Sequence, residues 1–467
     1  MEPRSTTIPL ALLVLAALLP ALRAQQGVST LGDARTRALA ARGTLPAPAD
    51  VVVEDFVNYH RHALPEPRAG EALSLDLRWS GGLDPERRRA YLQIGLATTH
   101  LADRADLPPL ALALVVDCSG SMADAGKLEA VRHALRRLAK KLRPSDEVAL
   151  VRYSNQAELL RSLRPVGDGA DLLALVDSLS PDASTNLHAG LMLGLEQLDR
   201  RESSAGMSRR ALLLTDGIAN SGVTEPAEIA RDARRFLERG IDVSTIGVGE
   251  TLQRDLLLEL AQRGRGTAHF VGDPQDVSKV FETEFQSLVA PAARKVEVEL
   301  ELPSAWKLER LYGYAPRRTE RGAVIPLPDL SYGATLVVIA ELSERDALWS
   351  DERGNEPRAR VRYVDLLQRG ERVLTTEAPR CPRSAAPFAD PSVKKNVAIA
   401  HLAHGLRTMA EAAATQRWAE AERCIDRPLT EARALFPSEE DPDLRRVLET
   451  ARRCRELVRG ELEGERW

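Results

Sequence analysis

Asp117-Cys118-Ser119-Gly120-Ser121-Met122 sets one carboxylate and two hydroxyls at alternate positions along the chain. Hard oxygen donors of this kind suit a small divalent cation, Mg2+ first, which takes few protein ligands and keeps several of its waters. Ca2+ and Mn2+ accept the same donors. The run by itself supplies only part of a coordination shell, and two later segments extend it. Ser184-Thr185-Asn186-Leu187 opens a helical pattern with a further hydroxyl, and the apolar run Ala211–Thr215 ends in Asp216-Gly217. The candidate metal ligands are therefore Asp117, Ser119, Ser121, Thr185 and Asp216. Each has an ordinary alternative, since Asp after a strand forms turns and Ser or Thr before a helix caps it. The weight lies in finding all three segments in this order on one scaffold. His188 could orient a ligand, but a place at the start of a helix accounts for it.

That scaffold alternates apolar, strand-like runs with amphipathic helices. The spacing predicts strands at Leu110–Val116, Glu147–Ser154, Ala211–Thr215, Val243–Val248 and Ala268–Val271, with Glu158–Leu163 at an edge. Leu128, Val131, Leu135, Leu138 and Leu142 recur at helical spacing. Further helices are predicted over Ala170–Leu179, Leu187–Leu198, Pro226–Glu238, Asp255–Gln262 and Asp276–Leu288. Such alternation gives a mostly parallel sheet with helices on both faces. Ligands of these sheets sit at the carboxyl ends of the strands, where the strand order reverses. Asp117 and Asp216 converge there if their two strands are neighbours. Arg132, Arg136, Arg137, Lys140 and Lys141 on the first helix read as a solvated face rather than a docking surface.

The flanks differ in period. Ala72–Trp79 and Tyr91–Ala97 upstream alternate apolar and polar residues. Lys295–Leu302, Ala323–Leu327, Thr335–Leu342 and Arg358–Val364 do so downstream. They predict a β-sandwich built from both flanks, with the α/β unit inserted into it; two separate β pieces are the alternative. The expected organisation is an export signal over 1–24, an N-terminal segment with strands over 25–109 and the α/β domain over 110–290. Strands completing the sandwich follow over 291–364, then a linker over 365–394 and a helical segment over 395–467. Two helices are predicted in that segment, Asn396–Arg423 and Asp443–Leu462. His401 and His404 on the first read as surface histidines with no acid partner, not as metal ligands.

With 467 residues the chain is too long for one core. A net charge of −4 gives no support for nucleic acid as partner. Arg4 followed by the apolar stretch Ile8–Leu22, broken by Pro9 and Pro20, is too short for a comfortable membrane span. A cleaved secretory signal is the expectation, with a retained anchor as the alternative, and no membrane span in the mature chain. The protein is thus expected to be exported, to the periplasm, the envelope or the medium. Export permits disulfides, and the chain has four cysteines. Cys118 reads as a buried, inert thiol, Cys381 falls in the linker, and Cys424 and Cys454 could pair across a helical hairpin.

Asp117-x-Ser119-x-Ser121, Thr185 and Asp216-Gly217 together resemble the metal-ion-dependent adhesion motif of von Willebrand factor type A domains. The resemblance covers roughly residues 108–290. It implies a Rossmann-like fold in which Ser119, Ser121 and in some members Thr185 touch the cation, and Asp117 and Asp216 act directly or through water. It also implies a protein partner whose carboxylate completes the coordination sphere. More narrowly, Leu45-Pro46, Val52–Tyr59, Tyr91–Gly95 and Leu212–Asn220 resemble one bacterial secreted family, distantly similar to inter-alpha-trypsin inhibitor heavy chains and calcium-activated chloride channel regulators. The lipid-attachment Cys of that family is missing and the helical C-terminus is short.

The leading expectation is a binding protein that captures a protein ligand through a divalent cation. A structural scaffold with metal-independent contacts is the alternative. Catalysis is disfavoured. Phosphatase-type motifs place a second Asp two residues after the first, where this chain has Ser119. His-Glu-x-x-His, Gly-x-Ser-x-Gly and a phosphate-cradling Gly-rich loop before Lys-Ser/Thr are also missing.

Overall fold

The computed structural model describes residues 31–464, apart from 85, 87, 101–108, 183, 202–207, 250–251, 272–290, 346–355, 367, 369 and 383–385. The predicted export signal over 1–24 and the predicted helix Asp276–Leu288 lie outside the described residues. Among those described, no helix is long and apolar enough to cross a membrane.

The chain begins with helices α1 (Leu31–Ala41) and α2 (Val53–Val57), then strands β1 (Leu73–Trp79) and β2 (Arg89–Thr98). The α/β unit follows as β3 (Leu110–Asp117), α3 (Lys127–Lys141), β4 (Glu147–Tyr153), β5 (Ala157–Pro165), α4 (Ala170–Asp177) and α5 (Leu187–Asp199). It continues through β6 (Ser208–Thr215), α6 (Pro226–Glu238), β7 (Ile241–Val248), α7 (Arg254–Arg263) and β8 (Arg265–Val271). Its sheet has the order β5-β4-β3-β6-β7-β8. All neighbours run parallel except the edge pair β4 and β5. The order reverses between β3 and β6, so the switch point falls between the two strands that carry the acids.

Alternate residues of β3 feed two cores. Leu110, Leu112, Leu114 and Val116 pack with α3 and α4, whereas Ala111, Ala113 and Val115 pack with α5 and α6. Small residues on that second face let α5 come close. A Cβ at Gly194 would stand 2.4 Å from Val115 Cγ2. On α3, Arg136 Nε donates to Asp177 Oδ1 at 2.6 Å and Arg132 pairs with Glu129. The basic face is solvated and ion-paired.

Downstream come β9 (Pro291–Glu301), β10 (Trp306–Leu311), β11 (Arg317–Thr319), β12 (Gly322–Pro326), β13 (Leu330–Ser331), β14 (Thr335–Glu344), β15 (Arg358–Asp365) and β16 (Gly370–Glu377). One antiparallel sheet has the order β1-β2-β14-β10, the other β11-β12-β9-β15-β16 with β13 on β9. The inward residues of both sheets form one shared core. This is a sandwich made from both flanks, with the α/β unit between β2 and β9 in the chain. Arg294 on β9 donates to Asp242 of β7 at 2.5 Å, an ionic joint between the two units.

Several elements differ from the sequence expectations. Residues 370–377, expected as linker, form edge strand β16. Most of its positions face solvent, so it lacks the apolar alternation that marks a strand.

The C-terminal segment has three helices rather than two: α8 (Pro391–Ala413), α9 (Trp418–Leu435) and α10 (Pro442–Glu463). The expected helix Asn396–Arg423 is broken near Gln416, whose φ of 56° is left-handed. Helix α9 instead runs through Pro428. Gly405 of α8 faces that point, where an added Cβ would meet Pro428 Cγ at 2.8 Å and the Cys424 carbonyl oxygen at 2.9 Å.

The pairing of Cys424 with Cys454 is not formed, and no disulfide joins any two of the four cysteines. Cys454 is turned into the helical core while Cys424 lies half-buried beside it, and burial pushes the Cys454 thiol up to about 12.

Residues 58–62 bind the units together. The Asn58 side chain donates to the Val337 carbonyl oxygen at 3.1 Å and accepts from the Val337 N–H at 2.7 Å, clamping β14 where β10 does not cover it. His62 Nε2 lies 3.2 Å from Asn58 Oδ1, and its Nδ1 lies 3.3 Å from Asn396 Nδ2 on α8. Asn396 in turn donates to Gln93 Oε1 on β2 at 2.8 Å. His401 and His404, expected at the surface without an acid partner, line a cleft between the sandwich and α9. His401 Nδ1 lies 3.6 Å from Glu431 Oε2.

Candidate metal centre

β3 and β6 pair in parallel with Val116 beside Leu214, so both strands end at the same sheet edge. Asp117 and Asp216 emerge there, and both are buried. A buried carboxylate must be hydrogen-bonded or paired. Asp117 Oδ1 accepts from the Ser119 N–H at 2.8 Å, and its Oδ2 accepts from Thr215 Oγ1 at 2.7 Å. Burial raises its pKa above the ordinary carboxylate value, and these hydrogen bonds pull it back. One lone pair of each oxygen is thus engaged within the protein. That leaves Asp117 as a fixed negative charge at the floor of the centre.

Asp216 is saturated differently. Its Oδ1 accepts from Ser121 Oγ at 2.8 Å, and its Oδ2 from Lys127 Nζ at 2.6 Å. Ser119 Oγ and Ser121 Oγ stand 3.2 Å apart. Ser119 and Thr185 are buried, whereas Ser121 is exposed and opens the centre to solvent. Thr185 is held from the third side, its N–H donating to Asn220 Oδ1 at 2.8 Å and its carbonyl oxygen accepting from the Asn220 N–H at 3.1 Å. Asn186 next to it caps α5 by accepting from the Ala189 N–H at 3.1 Å. Gly217 keeps the space between these groups clear. A Cβ there would lie 3.7 Å from Thr185 Oγ1 and 4.0 Å from Ser121 Oγ.

All five predicted residues therefore gather at one sheet edge. Two carboxylates and three hydroxyls, with a cradle that a single methyl would enter, fit a hard divalent cation. Among the described residues no cluster of three or more His, Cys, Asp or Glu side chains could hold a metal. His188 takes no part, since its Nε2 lies 3.1 Å from Asp232 Oδ2 on α6. The Cys118 thiol, between two of the candidate ligands in sequence, is pushed up to about 12 by burial and by the Asp117 charge, and is inert.

Sequence reasoning missed three contributors. Thr215 and Asn220 lie in the run around Asp216 and act through hydrogen bonds no motif announces. Lys127 carried one signal: a cation as the first residue of a helix, where the backbone dipole disfavours it.

Residues 111–283 match the model of the von Willebrand factor type A domain. The chain contains a von Willebrand factor type A domain. Such domains generally mediate protein–protein interaction, and some members hold a divalent metal at this constellation. The chain is 28% identical over 302 residues to the Escherichia coli K12 protein described as "Uncharacterized protein YfbK", covering 62% of this chain and 52% of that one. It is 27% identical over 198 residues to inter-alpha-trypsin inhibitor heavy chain H3 of Mesocricetus auratus, covering 41% of this chain and 22% of that one. The chain thus spans about half or less of the length of these relatives. Among solved structures, a von Willebrand factor type A protein from Catenulispora acidiphila aligns with a TM-score of 0.48 and 16% identity, over 83% of this chain and 96% of that one.

Proposed function

We propose that this protein captures a protein partner outside the cytoplasm through a divalent cation, Mg2+ by preference. Ser119, Ser121 and Thr185 would hold the ion, with Asp117 and Asp216 bound directly or through water. The bound ion would supply an electrophilic point for a partner carboxylate. The chain's own residues do the rest. Asp117 fixes the Ser119 backbone, Asp216 orients Ser121, and Asn220 holds Thr185 in place. The observation that carries this reading is the convergence of Ser121, Asp216 and Thr185 around the space left by Gly217, with Ser121 open to solvent. Export rests on the apolar stretch Ile8–Leu22. Non-catalytic chemistry rests on Ser119 standing where a second acid would be needed.

The test joins calorimetry with capture. Purified protein is titrated with Mg2+, and then used to retain partners from the source envelope and medium with Mg2+ or with EDTA. Wild type should bind the ion and retain a partner only with Mg2+. Asp117→Ala should lose both while its circular dichroism is unchanged. Capture undiminished in EDTA would overturn the reading in favour of a metal-independent scaffold.

A further inference from the structure

Lys127 opens α3, where the helix dipole is unfavourable to a positive charge. Helix formation does not ask for it. Its ammonium instead donates to Asp216 Oδ2 at 2.6 Å and to the Ser121 carbonyl oxygen at 3.3 Å. Gly249, just past β7 with φ of 104°, leaves room for the side chain. A Cβ there would lie 3.4 Å from Lys127 Cε and 3.6 Å from Nζ. The lysine side chain is 17% exposed and the Asp216 carboxylate 0%, so the ammonium pairs with an acid that solvent does not reach.

This arrangement matters for charge. Asp117 and Asp216 contribute two negative charges to the centre, and Lys127 one positive charge. A divalent ion brings the sum to one positive charge; without the lysine the sum would be zero. We infer that Lys127 is a tethered second cation of the metal centre. It competes with the divalent ion for Asp216, and it leaves the loaded centre with a net positive charge that fits a carboxylate-bearing partner. Lys127 thereby trades affinity for the ion against affinity for the anion. A merely structural lysine would not, because its removal would weaken both. This inference rests on the metal reading above and assigns to it a residue outside the five candidate ligands.

The experiment titrates Mn2+ into wild type, Lys127→Met and Lys127→Gln by calorimetry, in chloride and in acetate at matched ionic strength, corrected for manganese acetate formed in solution. Lys127→Gln keeps a hydrogen-bond donor without the charge, and guards against a Met variant that fails to fold. Removing a unit charge this close to the ion should tighten Mn2+ binding at least about tenfold in both variants. Acetate should strengthen Mn2+ binding by wild type and leave both variants unchanged. In EDTA both variants should melt below wild type, because Asp216 has lost its counter-charge. Mn2+ binding that is unchanged or weaker in the variants, with wild type binding normally, overturns the role of Lys127 and leaves the metal reading standing. Wild type that takes no Mn2+, or an Asp216→Ala protein that takes it equally well, overturns the metal reading itself.

Discussion

Acidification should loosen the junction between the sandwich and the helices through a single imidazole. His62 is 6% exposed and bridges Asn58, which clamps β14, to Asn396 on α8. Burial, then the charges of His60 and Lys395, lower its pKa from 6.5 to about 3. The folded value lies below the unfolded one, so the unfolded chain binds the extra proton. Stability therefore falls as pH drops below 6.5, and the loss levels off below about 3. From pH 7 to pH 5 the loss from this group is about 2 kcal/mol, and its limit at low pH is about 5 kcal/mol. Urea unfolding of wild type and His62→Gln at both pH values isolates it, because titrations common to both chains subtract. The fall between pH 7 and pH 5 should be about 2 kcal/mol smaller in the variant. Equal falls in the two proteins would refute the argument.

Two further substitutions probe other joints. Asn58→Ala removes the partner of both the N–H and the carbonyl of Val337, and should cost about 2–4 kcal/mol in urea unfolding. Gly217→Ala puts a methyl at ordinary contact distance from Thr185 Oγ1. It should change stability by less than about 1 kcal/mol yet lower Mg2+ affinity in calorimetry, separating the cradle from the fold.

The α/β unit was legible because its period is strong and its strands are buried on both faces. β3 is apolar throughout until Asp117, and an acid closing such a strand is conspicuous. In β6 only Ala211–Leu214 is apolar, with Thr215 and then Asp216 following it. β16 was illegible for the opposite reason: an edge strand with Val373 left exposed carries no alternation to read. β10 was missed because its register shifts between Leu308 and Arg310, which breaks the period of two. The third C-terminal helix was hidden by Pro428, ordinarily a helix breaker. Only the facing Gly405, more than twenty residues away in sequence, shows how the chain accommodates it. Lys127 and Asn220 belong to the same class, being residues whose roles exist only once distant segments meet.

The insertion of the α/β unit into the sandwich also sets an order of assembly. β2 pairs along its length with β14, about 240 residues later. Closing so long a loop of unstructured chain is slow, because the ends must find each other before any contact rewards them. The α/β unit has its own two cores and needs neither flank to form them. Once folded, it shortens the effective loop and delivers β2 and β9 to one neighbourhood. Until β14 arrives, however, β2 has a bare edge and an almost wholly apolar face, the combination that recruits foreign strands. A chain interrupted between β8 and β14 would keep its five candidate ligands assembled and still be lost to aggregation.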